Sequence, residues 1–343
     1  MSTPPFDVSD LERYLRDQGI CDGPITLRRV GHGHSNLTYL VDDGHRRVVV
    51  RRPPRPPIPP GGHDVLREAG VQRALAGSGI PVPAILATAE AGTVMDSPFY
   101  VMSHVEGVVA TTETPPAIDN RTDRRRLAEL MVDMLADLHA VDPLVVDHLA
   151  VDHRAGGPGR AATDLGGHLH RFARMIGPGR PAGELDELLG ELVDTAPVPG
   201  TATIVHGDFR LGNLMLAPVA PPRIVAVLDW ELATVGDPLR DLGYFLATYA
   251  VPGEPPHALT ALSSATLADG YPGRDQLARR YAARSGRDLA RIDWYLRMAL
   301  WKVAVLFEHQ SRRAAQGVGD PYYAWPGLVE ALVTAARQVT TGA

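Results

Sequence analysis

Two stretches decide how this chain is read: Ile204-Val-His-Gly-Asp-Phe-Arg-Leu-Gly-Asn-Leu-Met-Leu216 and Ile224-Val-Ala-Val-Leu-Asp-Trp-Glu231. Apolar runs of strand character flank short loops that carry Asp208, Asn213 and Asp229. The loops offer a carboxylate, an amide oxygen five residues on, and a second carboxylate closing the next apolar run. A carboxylate can orient a hydroxyl and take its proton, and hard oxygen ligands suit magnesium.

Composition bounds the class. At 343 residues the chain is long enough for two lobes with a sizeable core. It is 45% hydrophobic and 22% charged, ordinary for a globular protein. A formal net charge of −6 disfavours nucleic acid as a partner. Cys21 is the single cysteine, which excludes an intrachain disulfide and a cysteine metal cluster. No signal-like N-terminus and no membrane-length apolar run stands out, so a cytoplasmic enzyme is the expectation. Lys302 is the one lysine among 34 basic residues, a pattern of biased codon usage. Work usually done by lysine therefore falls to arginine.

Outward from the two loops, residues 7–19 read as a helix capped by Asp7 or Ser9. Residues 25–30, 37–41 and 46–52 read as strands. Gly31-His-Gly-His-Ser-Asn36 is a glycine turn between the first two, able to lay backbone N–H groups of Gly31, Gly33 and Ser35 over phosphate. Because a strand follows it, a dinucleotide-fold reading fails. His32 and His34 lack convincing further metal ligands. The third strand ends in Arg51-Arg52 and a proline run through Pro60, then a helix over 63–76 bears Glu68. Alternation puts Arg51 and Arg52 on opposite faces, and Arg51 is taken to face the nucleotide. Phe99 to Gly107 is an apolar strand broken at Glu106-Gly107. That break divides a lobe of residues 1–105 from one of 106–343, with Ser103 and Val105 near the adenine edge. Residues 122–141 carry a helical stripe through Leu127, Met131, Leu135 and Leu138, read as core; His139 is read as structural. A loop is expected over 150–163. Asp237 and Pro238 are expected to open a helix running to about Tyr249.

His206-Gly-Asp208 with Asn213, Leu228-Asp-Trp-Glu231 and Gly236-Asp-Pro-Leu-Arg-Asp241 together resemble the aminoglycoside phosphotransferase-like branch of the kinase superfamily. Gly33-His-Ser-Asn36, Arg51-Arg-Pro-Pro54, Arg67-Glu68 and Pro98-Phe-Tyr-Val-Met102 are similar to the subgroup fused to, or found beside, acyl-CoA dehydrogenases. The resemblance runs from about Val30 to Tyr249. It implies an α+β, bilobal protein-kinase-like fold: an antiparallel-sheet N-lobe with a helix, and a mostly helical C-lobe. It implies ATP and Mg2+, Asp208 as catalytic base, Asn213 and Asp229 as metal ligands, and Glu68 paired with the third-strand cation. His206 and Asp241 would support the catalytic loop. Arg51 stands where kinases usually carry lysine, which leaves open a nucleotide-binding pseudokinase.

A long activation segment has no room between Asp229 and Gly236, which argues against a protein kinase. No Gly-x-Ser-x-Gly elbow is present, and Lys302 follows tryptophan rather than glycine, which excludes a P-loop. From Val251 onward there are eleven Lys/Arg against eight Asp/Glu. That balance leans toward a neutral or anionic small-molecule hydroxyl acceptor, such as a hydroxyacyl-CoA, over a polycationic aminoglycoside.

Overall fold

A computed structural model describes residues 4–30, 36–54, 64–146, 164–176, 183–317, 321–324 and 326–339. Gly31, Gly33 and Ser35, most of the proline run, and the loop expected at 150–163 lie outside the described residues. The chain divides into two compact units: Met1–Glu106 with Val225–Ala233, and Gly107–Ile224 with Thr234–Ala343.

The first unit is built on one antiparallel sheet. Its strands are β1 (Thr26–Val30), β2 (Leu37–Asp42), β3 (Arg47–Arg52), β4 (Ile85–Ala89) and β5 (Phe99–Ser103), ordered β1-β2-β3-β5-β4. Alternation along β3 gives the sheet two apolar faces. Val48 and Val50 pack with Val41, Phe99 and Val101 beneath Leu11 and Leu15 of helix α1 (Val8–Asp17). Asp7 caps that helix, accepting the Ser9 N–H at 2.8 Å. On the opposite face, Tyr100 packs against Val65 and Ala69 of helix α2 (Val65–Leu75). Arg51 pairs across the sheet with Thr38 and Tyr100, so it shares the α2 face with Glu68.

Val225–Ala233 belongs to this unit, although the sequence reading assigns everything from residue 106 to the second lobe. The cause is non-local hydrogen bonding. The Val227 N–H reaches the Pro81 carbonyl at 2.8 Å, and the Arg67 guanidinium donates to the carbonyls of Glu231 and Ala233.

The second unit is mostly helical. Strand β6 (Val108–Val109) pairs antiparallel with β8 (Leu214–Leu216), and β7 (Thr203–Val205) with β10 (Thr234–Gly236); between β8 and β10 in sequence runs β9 (Ile224–Val227), which from Val225 onward belongs to the first unit. The helices are α3 (Arg121–Leu138), α4 (Leu165–Ala173), α5 (Glu184–Asp194), α6 (Leu239–Thr248), α7 (Ala258–Ala261), α8 (Arg274–Ser285), α9 (Ile292–Ala315) and α10 (Leu328–Gln338). The α3 stripe of Leu127, Met131, Leu135 and Leu138 is buried. Helix α9 is the spine, with Trp294 and Trp301 donating their indole N–H groups to the carbonyls of Leu192 and Leu185 on α5 at 3.0 and 2.9 Å. Where α6 meets α9, Gly243 lets the backbones close: a Cβ there would lie 2.6 Å from the Tyr295 carbonyl carbon. Among the described residues no helix is long and apolar enough to cross a membrane.

Candidate active site

In the first unit, β9 carries the chain into a left-handed residue, Asp229, with φ of 68°. It is the one non-glycine residue with positive φ among those described. Aspartate tolerates this region better than most side chains, at a local cost of about 1–2 kcal/mol. A 3-10 turn, Trp230–Leu232, follows. Trp230 anchors it, fully buried, with its indole N–H on the Val227 carbonyl at 2.9 Å. The turn sets the Asp229 carboxylate against Arg51.

Arg51 is a hub. Its Nε donates to Glu68 Oε2 at 3.0 Å and its Nη2 to Asp229 Oδ1. Glu68 is 1% exposed, Arg51 14% and Asp229 26%. Burial, helped by the like charges of Asp229 and Glu231 and opposed by Arg51, raises the Glu68 carboxyl to about 7. Arg51 is held firmly protonated: burial works against its charge, and Glu68, Asp229 and Glu231 outweigh burial. Asn36 closes the group by donating its Nδ2 to Glu231 Oε2 at 3.0 Å. Arg52 points to the opposite face, where it lies 5.8 Å from the centre of the Phe6 ring and 3.1 Å from Asp96. Ser103 uses its N–H and hydroxyl on Ala84, and Val105 is half-buried.

In the second unit, β7 delivers His206, Gly207 and Asp208, and a 3-10 turn, Leu211–Asn213, leads into β8. Asn213 Nδ2 donates to both the carbonyl and Oδ2 of Asp208 at 2.7 Å. Arg210 Nε donates to Asp208 Oδ1 at 3.2 Å. The Asp208 carboxylate is thereby fixed in direction, and the Asn213 amide keeps its oxygen as an acceptor. The Asp208 N–H donates to His206 Nδ1 at 3.2 Å.

Asp241, at the start of α6, holds this loop from below. Its buried carboxylate accepts the N–H groups of His206 at 2.6 Å and Gly207 at 2.8 Å, and lies 3.4 Å from His139 Nε2. Burial pushes this carboxyl up, yet His139, His206 and the Gly207 N–H pull it below the usual carboxylate range. His139 is buried, kept neutral by burial, and its Nδ1 lies 2.7 Å from the Tyr281 hydroxyl. Asp237 accepts the Leu239 N–H at 2.9 Å with one oxygen and the Tyr295 hydroxyl at 2.7 Å with the other, so it caps α6 and ties it to α9. Helix α6 begins one residue after Pro238.

Further residues complete both groups: Arg67, Glu231 and Asn36 in the first unit, which stand in the quoted motifs but were assigned no role, and in the second His139, structural as read, and Arg210, which sequence reasoning missed. Arg210 could have been found, since a cation two residues from a loop carboxylate can reach it. The basic C-terminal helices, in contrast, are spent on packing. Arg280 makes a two-pronged bond to Asp133 and Arg284 to Asp137, joining α8 to α3. Arg297 pairs with Glu191, and Arg274 with Glu254. The count of positive residues after Val251 thus does not describe an open cationic surface.

A magnesium ion usually takes one or two protein ligands and completes its shell with substrate phosphates and water. The Asp229 carboxylate of the first unit and the Asn213 amide oxygen of the second are each hard donors of this kind.

Comparisons with known proteins bear on both groups. A model described as the phosphotransferase enzyme family matches residues 26–295. Acyl-CoA dehydrogenase family member 11 of Gallus gallus is 33% identical over 253 residues, 72% of this chain and 32% of that protein. The chain spans 28% to 40% of the length of its acyl-CoA dehydrogenase family relatives from mouse and Pongo abelii. A solved candidate aminoglycoside phosphotransferase from Ralstonia eutropha superposes with a TM-score of 0.73 at 26% identity, covering 98% of this chain and 96% of that one. A thermostable aminoglycoside phosphotransferase, APH(4)-Ia, in complex with ADP and hygromycin B, shares the fold with a TM-score of 0.59 at 16% identity, over 97% and 99% of the two chains. The antiparallel-sheet unit and the mostly helical unit are the two lobes of this kinase-like fold.

Proposed function

This chain belongs to the phosphotransferase enzyme family, and from that premise we propose that it moves the γ-phosphoryl group of ATP onto a hydroxyl of a small molecule. The observation that carries the reading is the grip of Asn213 and Arg210 on the Asp208 carboxylate. A carboxylate held on a short rigid loop is suited to accept a hydrogen bond from an alcohol. As the hydroxyl oxygen forms its bond to phosphorus, the bond from phosphorus to the ADP oxygen breaks and ADP leaves with the electron pair. Asp208 takes the hydroxyl proton and later passes it to water. Asp229 and Asn213 would hold magnesium, which supplies neutralisation of phosphate charge when bound. Arg51, kept charged beside Glu68, is the cation available to phosphate oxygens from the first unit. Gly31, Gly33 and Ser35 would cover the phosphates, and Ser103 and Val105 the adenine edge.

The names of the relatives support an acceptor from acyl-CoA chemistry, such as a hydroxyacyl-CoA, and a functional link to acyl-CoA dehydrogenases. An aminoglycoside acceptor is the alternative, since hygromycin B is bound by a protein of the same fold. ATP turnover over a panel of hydroxyacyl thioesters, hydroxy acids and aminoglycosides tests the class. In that panel Asp208→Asn and Asp229→Ala should each lose about 100-fold or more in rate. Near-normal turnover in either variant refutes the assignment.

One observation favours a second reading. Arg51 stands in the usual lysine position and is bonded to the candidate metal ligand Asp229. A nucleotide-binding module without turnover would show an ADP-induced thermal shift and no phosphorylation across the panel.

A further inference from the structure

We propose that Lys302 and Arg240 form an anion-recognising subsite beside the catalytic loop, which selects a hydroxyl acceptor carrying a carboxylate or phosphate group. This deepens the phosphotransferase reading and rests on it. The subsite lies wholly within the second unit. A cavity of about 10 Å3 is lined there by Gly207, Arg240, Asp241, Tyr244 and Lys302 over an apolar floor of Val205, Met298 and Ala299. That volume admits one water-sized group, or one oxygen of an anion. Gly207 precedes Asp208, so an oxygen in this cavity sits next to the residue that would deprotonate the acceptor.

The charge pattern is what an anion would complete. Among the described residues neither Lys302 nor Arg240 forms an ion pair; Asp241 and Asp237 favour the Arg240 charge through space, against burial, while their oxygens, like those of Asp208, already serve other donors. Asp241 serves the His206 and Gly207 N–H groups, Asp237 serves Leu239 and Tyr295, and Asp208 is held by Asn213 and Arg210. The Arg240 Nη2 lies 3.2 Å from His168 Nε2, on an imidazole that burial and the charges of Arg240, Lys302 and Arg171 hold strongly toward the neutral form. The Lys302 Nζ sits 4.9 Å above the Phe172 ring. Burial and Arg240 push its ammonium down to about 8, against the weaker pull of Asp208 and Asp241. A half-buried cation without a bonded anion carries a desolvation cost, and an incoming anion offsets it.

Side-chain identity points the same way. In a chain that uses arginine at every other basic position, lysine survives at this one. A guanidinium is planar and wide; an ammonium is a compact point charge that fits beside a one-oxygen cavity.

The test uses the whole protein saturated with ADP, so that the nucleotide site is filled. Sulfate and acetate are titrated by calorimetry; sulfate keeps its charge between pH 7 and 9. In the wild type at least one anion binds, and sulfate over acetate marks a phosphate-bearing acceptor, the reverse a carboxylate. Lys302→Met weakens that binding at least tenfold while ADP affinity stays within about twofold. Wild-type anion affinity falls about tenfold from pH 7 to 9 as Lys302 loses its proton, and in Lys302→Arg that fall is absent. Arg240→Gln, if it folds with an unchanged ADP shift, weakens the anion as well. No anion binding in the wild type, or equal binding in Lys302→Met, overturns the subsite and leaves the phosphotransferase reading standing. Failure of ADP itself to bind overturns that reading instead.

Discussion

Replacing Asp241 should destabilise the second unit in a graded way. The carboxylate is 1% exposed and satisfies two backbone N–H groups, His206 at 2.6 Å and Gly207 at 2.8 Å, with His139 Nε2 at 3.4 Å. Asp241→Ala strips both N–H groups of their acceptor in a place water does not reach. Each lost charge-assisted bond costs about 1.5–3 kcal/mol. The long His139 contact adds little, so the loss is about 4 kcal/mol. Asp241→Asn keeps one acceptor oxygen and turns an amide N–H2 toward the other donor, for about 2 kcal/mol. At about 2 °C per kcal/mol for a unit of this size, the midpoints should drop by about 8 and about 4 °C. The pH dependence has a definite sign. The folded carboxyl titrates below its ordinary value, so its contribution is present above about 3.8 and is lost as pH falls further. Urea unfolding of the three proteins at pH 7 and at pH 3 is the assay. A loss under 1 kcal/mol for Asp241→Ala, or equal losses for the two variants, would refute the reasoning.

The remaining expectations concern both units. Glu68 titrates above its ordinary 4.5, up to about 7, so it favours the folded state below about 4.5 and that advantage is lost as pH rises through about 7. Glu68→Gln should flatten this loss in urea midpoints measured from pH 4.5 to 8; an unchanged slope counts against it. Arg51→Lys cannot span Glu68 and Asp229 with one nitrogen and should cost about 1–2 kcal/mol. Arg51→Met leaves a buried carboxylate unpaired and should cost about 3–5 kcal/mol; denaturant melts giving the reverse order would contradict the hub. Gly243→Ala forces a methyl within 2.6–2.7 Å of Tyr295 backbone atoms, which cannot rotate away. A cost of about 3 kcal/mol is expected from calorimetry, and a neutral effect would mean α6 and α9 pack less closely than described.

Much of the fold was legible because its signals are local. Short apolar-rich runs marked β1 to β3, alternation separated Arg51 from Arg52 on β3, and three- and four-residue steps marked the buried face of α3. The Asp208–Asn213 spacing was legible too, since five residues of loop and turn bring Asn213 Nδ2 to 2.7 Å from Asp208 Oδ2. What stayed hidden depends on partners distant in sequence. Arg67 meets the carbonyls of Glu231 and Ala233, more than 160 residues on, and that clasp draws Val225–Ala233 into the first unit. Nothing in the local pattern of Leu-Asp-Trp-Glu announces it. His139 read as structural, but its bonding to Tyr281 and Asp241 spans more than 100 residues and has no periodic signature.

The sharpest lesson concerns charge. A net excess of basic residues after Val251 suggested a surface for an acceptor, yet counting charges along a chain assumes that they face solvent. Arg280, Arg284 and Arg297 instead meet Asp133, Asp137 and Glu191, which precede Val251 and so were left out of the count. Once those pairs are set aside, the argument for an anionic acceptor no longer rests on a total. It rests on Lys302 and Arg240, which line a cavity with Gly207 and with Asp241, whose oxygens are taken by the His206 and Gly207 N–H groups. Two cations in that position say more about the substrate than eleven distributed over helices, because affinity follows from charge that is desolvated and unpaired, not from charge that is merely present.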